Sequence, residues 1–377
     1  MRTVDQQPHT LQGEWLQRGR REPPRGRQQK GLTLVEIMVA VALSVILLAG
    51  VIQIFVSSKS TYRLQDNLAR MQENGRFALD FLTRDVRMAG YRGCTNFGVV
   101  TNTLKNGNNN LAYDFETGLT GFDNPSANPP VLLSNAGIVP APGTDVIVIR
   151  RNSGDPVRVT QNNNGSQLFA EVISNLPGGC PDGTDKISDL CQGDILMVSD
   201  CVKSRVFQAG NLTVTGNNGN ITHPSSGTPG NDPSSWGGAS APEEEQFNKD
   251  AEIVRIGTFA YFVSVRADGI PVLNRFDGSN IFELAEGVED MQITYGEDTD
   301  GDRTADVYRD AGTVSKWSQV VSARIHLLVR TNDNNMTDAP ADYTFNGNLV
   351  AGSSLPATDR FLRREFTTTV TVRNRAS

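Results

Sequence analysis

Charge is absent from Ile37 to Ser58, and proline is absent from Arg25 to Asn124. The first absence leaves an apolar run able to cross a bilayer as one helix, since about 20 residues at ~1.5 Å each cover the hydrocarbon core. The second removes the residue most damaging to a helix interior, so nothing in that stretch breaks a long helix. Histidine is scarce: only His223 and His326 lie beyond the N-terminal leader. His223 sits in a polar, low-complexity stretch, and His326 reads as a residue of an alternating strand rather than a catalytic base. There is no C-x-x-C pair, no H-E-x-x-H and no phosphate-binding glycine loop. Zinc, metalloprotease and nucleotide chemistry therefore have no signature, and no enzyme is expected. No A-x-A-like site follows the apolar run, which also exceeds the roughly 7–15 residue core of an ordinary secretory signal.

Ahead of the run lies a basic leader, residues 1–31, with seven Lys/Arg against three Asp/Glu. Its removal takes the formal charge from −7 to −11. An acidic remainder argues against a direct nucleic-acid partner, which would want a basic face; no small-molecule substrate is expected either. Six Lys/Arg fall between Arg18 and Lys30 and four between Lys59 and Arg76. That bias leaves the leader in the cytoplasm and the bulk of the chain outside.

Glu36 stands at the edge of the apolar run with no charged neighbour. A carboxylate within hydrocarbon costs roughly 2.5–3.5 kcal/mol. Either Glu36 reaches the headgroups, or it meets a cation on another subunit once the helix leaves the lipid. A cut after Gly31 would expose an α-amino group at Leu32, within one helical turn of Glu36, and stacked copies could pair one carboxylate with a neighbour's amine.

Gly31-Leu-Thr-Leu-Val-Glu36 resembles the class III signal of type IV prepilins and pseudopilins. The resemblance implies cleavage after Gly31 by prepilin peptidase, N-methylation of Leu32 and a docking role for Glu36. Leu32 stands where phenylalanine is usual, and the leader is longer than the common form. Later segments narrow the resemblance: Gly90-Tyr-Arg-Gly-Cys94, Gly193-Asp-Ile-Leu-Met-Val-Ser-Asp-Cys201, Glu286-Gly-Val-Glu-Asp-Met-Gln-Ile-Thr-Tyr-Gly296 and Thr367-Thr-Thr-Val-Thr-Val-Arg-Asn-Arg375 are similar to PilW-like minor pilins. This implies a low-copy subunit of type IV pili, acting with other minor and major pilins and the assembly platform of the inner membrane. Such pili serve motility, adhesion or DNA uptake. A minor pseudopilin of a type II secretion system shares the signal and is the alternative. A further alternative is a calcium-dependent surface-binding module carried on a pilin helix.

The expected fold is α+β: a leader over residues 1–31, a helix over 32–90 (membrane-spanning about 32–56) and a β-rich head over 91–377. Leu64, Leu68, Met71, Ala78, Leu82 and Val86 recur at three-, four- and seven-residue spacings and form one stripe of the helix. Gly90, Gly93 and Cys94 end it. Strands are expected at Asp145–Arg150, Pro156–Thr160, Leu168–Ile173, Asp194–Val198, Ile253–Ile256, Ala260–Val265, Met291–Tyr295, Val320–Val329 and Thr367–Val372. The Gly/Ser/Pro/Asn-rich stretch 217–244 reads as a surface loop too polar to bury much.

All four cysteines lie beyond the span, and an even count in an oxidising compartment reads as two disulfides with three possible connectivities. The preferred one is Cys94–Cys201 with Cys180–Cys191. Asp298, Asp300, Asp302 and Asp306 occupy positions 1, 3, 5 and 9 of a calcium-loop pattern. Arg303 stands where such a loop has glycine, and Arg309 where it has a bidentate glutamate. Either the loop holds Ca²⁺ or it is an Asp-rich turn between strands.

Overall fold

The computed structural model describes residues 31–93, 99–173, 180, 185–216, 218–249 and 251–375. One helix, α1, runs without interruption from Leu34 to Arg87. Compactness divides the chain within it, into Met1–Thr61 and Tyr62–Ser377, and each unit is described by itself.

In the first unit every described residue is exposed. An apolar window of the helix reaches a mean hydropathy of 2.7, enough in length and composition to cross a membrane. Its polar side chains look after themselves: Ser44 Oγ donates to the Ala40 carbonyl at 2.7 Å and Thr61 Oγ1 to the Ser57 carbonyl at 3.0 Å. Those bonds leave neither hydroxyl proton unsatisfied in an apolar surrounding.

In the second unit α1 turns one face inward. Met71, Ala78, Leu82 and Val86 of the expected stripe are buried, and Asn67, Gly75 and Asp85 share that face. Leu64 and Leu68 are only half-buried. Gly75 is there for contact: a Cβ on it would come within 2.6 Å of the Phe366 ring. The helix stops at Arg87, and Gly90 follows with φ +66, a left-handed conformation that glycine adopts without a Cβ penalty. Its amide donates to the Arg150 carbonyl at 2.8 Å.

Two sheets meet this face. One has four antiparallel strands in the order Val307–Arg309, Val288–Glu297, Val320–Arg330 and Arg363–Thr371. The other has twelve strands around one long strand, Glu252–Val265. That strand joins the two segments expected at Ile253–Ile256 and Ala260–Val265, and Gly257 between them continues the ladder opposite Arg151. Its first half pairs with Ile195–Ser199 and Val157–Asn164, its second with Val146–Asn152 and Pro271–Phe276. Leu82, Ile149, Tyr261, Met291, Ile325 and Val370 meet in the main core, where helix stripe and alternating strand residues interdigitate.

The 217–244 stretch departs from the surface loop expected of it. Asn217 lies outside the described residues, but Asn218–Thr222 is a strand paired with Gln167–Glu171. Trp236 is 1% exposed, stacked on His223 with ring centroids 4.2 Å apart and edge-on to Phe207 and Phe247. Composition misleads here because polar side chains of the loop and of the neighbouring Gln208 pair with backbone groups. Asn231 accepts from the Gln208 amide at 2.7 Å and donates to the Gln208 and Pro224 carbonyls, while Gln208 Oε1 accepts from the Gly230 amide. With these backbone groups satisfied, the segment can sink one large aromatic into a second core, although Trp236 Nε1 and His223 Nε2 are buried there without a partner among the described residues. Burial pushes the His223 imidazole down to about 4, with Arg205 adding to the effect and the bond to the Ser234 carbonyl opposing it.

Cys180 and Cys191 are joined, with Cα atoms 5.5 Å apart. The Cys94–Cys201 pairing rests on Cys94, which lies outside the described residues.

Candidate functional site

Two places carry the residues singled out in sequence. The first is the start of α1. Thr33 precedes the helix, its Oγ1 accepting the Glu36 amide at 3.3 Å, and the Ile37 amide donates to the Thr33 carbonyl at 3.2 Å. Thr33 is thus the N-cap and Glu36 the third helical residue. Thr33-Leu-Val-Glu36 has the T-x-x-E spacing of a capping box, a signal legible in sequence that the expectations above did not use. A carboxylate in the first turn also faces the positive end of the helix dipole. Leu32 is 68% exposed, Glu36 is exposed, and Gly31 has nothing within 4 Å of where a Cβ would stand.

The second place is the loop after Val288–Glu297. Carboxylate oxygens of Asp298, Asp300 and Asp306 lie within 4.8 Å of one another, Asp298 buried and the other two exposed. Asp302 is not among them: its carboxylate accepts from the Thr304 amide and hydroxyl at 2.8 and 2.5 Å. Three of the four expected carboxylates thus converge, while Asp302 is engaged in a short local turn. The others have protein partners as well. Asp298 accepts from the Gly301 and Arg303 amides at 2.7 and 2.9 Å, and Asp306 from the Thr299 amide and hydroxyl at 2.7 and 2.8 Å. The bonds from the Thr299 amide and hydroxyl hold the Asp306 carboxyl below its usual range. Arg303, at the glycine position of the pattern, adopts φ +69, the conformation for which glycine is used there. Arg309, at the glutamate position, turns instead to the fully buried Glu297, 3.0 Å away. Burial alone would raise the Glu297 carboxyl, but the Lys316 and Ser315 amides and Arg309 hold it low.

His326 Nδ1 lies 2.6 Å from Glu365 Oε1 on the neighbouring strand. Glu365 also accepts from the Asn346 amide at 3.1 Å, so this pair ties a hairpin to the sheet.

No curated protein matches the chain. Among solved structures, a type IV-like pilin from Thermus thermophilus is similar at 18% identity, over 32% of this chain and 68% of that one, with a TM-score of 0.19; so low a score carries no argument. Residues 26–52 match the prokaryotic N-terminal methylation motif, and residues 260–374 match the family described as type IV pilus-assembly protein W. The latter region holds the second part of the long strand, from Ala260 to Val265, and the whole four-stranded sheet. A methylation motif leading into a long apolar helix, and a PilW match over the last part of a β-rich head, make the chain similar to PilW-like type IV pilins.

Proposed function

We propose that this chain is a minor pilin that primes type IV pilus assembly. The precursor sits in the inner membrane as a single span with its head in the periplasm. Prepilin peptidase cuts after Gly31 and the Leu32 amine is methylated; Glu36 then pairs with a neighbouring subunit's N-terminus as the helix passes from lipid into the filament. One observation carries this reading: the methylation motif at 26–52 leads into the 54-residue helix, whose apolar first part carries a single carboxylate, Glu36, in the first turn. A filament offers that carboxylate a cation, which lipid does not. The PilW match favours a pilus over a secretion system. Deletion of the chain in cells that cannot retract pili is expected to reduce surface pili strongly. Unchanged pili with lost type II secretion would move the chain to the pseudopilins.

A second reading concerns the Asp298 loop, where three converging carboxylates suit a hard cation that takes six to eight oxygens. Calcium held there would brace the turn and adapt the head to surface binding. Titration calorimetry is expected to show binding that Asp300→Ala removes. No heat at millimolar calcium leaves the loop a plain hydrogen-bonded turn.

A further inference from the structure

The half of α1 within the second unit has an outer face that no described residue covers. Opposite Met71, Ala78, Leu82 and Val86, the helix exposes Phe77 (50%) and Phe81 (38%) four residues apart. Along the same stripe the charges alternate in sign: Asp66, Arg70, Glu73, Arg76, Asp80, Arg84. Asp66 and Arg70 pair with each other at 3.0 Å, whereas Glu73, Arg76, Asp80 and Arg84 make no ion pair among the described residues. Ala69, Gln72, Glu73, Arg76, Phe77 and Asp80 line a shallow concavity of about 580 Å³ on this face.

Successive charges lie three or four residues apart, about one helical turn or ~5.4 Å. Two parallel copies of this stripe placed in register would set like charges against like along its length. Displaced by one turn, they set Asp66 against Arg70, Arg70 against Glu73, Glu73 against Arg76, Arg76 against Asp80 and Asp80 against Arg84. The same displacement brings Phe77 of one copy level with Phe81 of the other. Only Arg87, at the end of the helix, would then meet a like charge in Arg84. We propose that this stripe is an interface with the same stripe of a second copy, the helices parallel and offset by one turn. The parallel direction rests on the functional reading above, in which every copy is anchored by the same N-terminal span. Exposed aromatics provide the apolar contact, and the alternating charges select the register by penalising the in-register alternative.

The full chain, made in its own membranes as two tagged versions carrying Ala69→Cys or Gln72→Cys, tests this by disulfide cross-linking. The mixed pair is expected to cross-link several-fold more than either version with itself. Reversing two signs in both copies (Glu73→Arg with Asp80→Arg) is expected to lower the yield about tenfold, since like charges then oppose each other. Inverting all six signs keeps the pattern complementary and is expected to restore the yield. Cross-linking no greater than in the parent chain, equal yields for mixed and identical pairs, or indifference to the two-charge reversal would each overturn the proposal. Mass measured on the same samples separates the two readings. Normal cleavage without the mixed cross-link sinks the interface alone; the mixed cross-link on uncleaved chain sinks the processing scheme alone.

Discussion

Replacing Gly31 with tryptophan is expected to leave the chain at its precursor mass, with the leader attached and surface pili strongly reduced. A peptidase that cuts after residue 31 needs unhindered backbone there, and glycine offers it. The folded chain, in contrast, makes no demand on this position: a Cβ would meet nothing within 4 Å, and Gly31 has no positive φ. The Thr33 cap and the helix beyond it remain as they are. Any loss of cleavage can therefore be assigned to the processing step and not to misfolding. Intact mass spectrometry distinguishes the outcomes, since on the proposed scheme the cut form would begin at methylated Leu32. A normal mature mass with normal pili in this variant would count against the whole scheme.

Asp85→Ala is expected to destabilise the head by about 3–5 kcal/mol, the range for removing one partner of a buried ion pair. Asp85 is 4% exposed, and its carboxylate lies 2.8 Å from Arg151 Nε and accepts the Tyr261 hydroxyl. The pair fastens the helix to two neighbouring strands of the large sheet, Val146–Asn152 and Glu252–Val265. Truncation would leave the Arg151 guanidinium, which also stacks 4.3 Å over Phe259, without its counter-charge. Burial, then the charge and hydrogen bond of Asp85, push the Tyr261 phenol well up, so it stays a donor at any pH of interest. Asp85→Asn keeps an acceptor for Tyr261 but not the charge, and Tyr261→Phe removes one hydrogen bond. The expected order of damage in urea melts of the full chain is Asp85→Ala, then Asp85→Asn, then Tyr261→Phe. Arg151 borders an open cleft near the helix end, so water can soften the loss towards the lower end of the range. An Asp85→Ala chain within about 1 kcal/mol of the parent would show that the pair contributes little.

The elements most visible in sequence were those set by short-range patterns. The 3.6-residue period of Met71, Ala78, Leu82 and Val86 marks the inward face of the helix because neighbours along the chain are neighbours on its surface. Period-two alternation did the same for Val320–Arg330, expected to end one residue earlier. The processing motif is a linear string and needs no fold to be read. Apolar periodicity could not place Asp85 or Asn67 on the buried face, since both are polar and their partners lie far along the chain at Arg151, Tyr261 and Asp333. Nor could composition reveal that a Gly/Ser/Pro/Asn stretch buries Trp236, because what compensates its backbone is Gln208, outside the stretch.

The sequence by itself determined the long apolar helix, the methylation motif, the inward stripe of the helix and the β-rich class of the head. Each rests on spacing between residues close in the chain. Tertiary structure alone decided that His223 and Trp236 share a core and that a helix carboxylate anchors two strands. These depend on where distant segments are brought to lie, and on which polar groups must find partners once water is excluded.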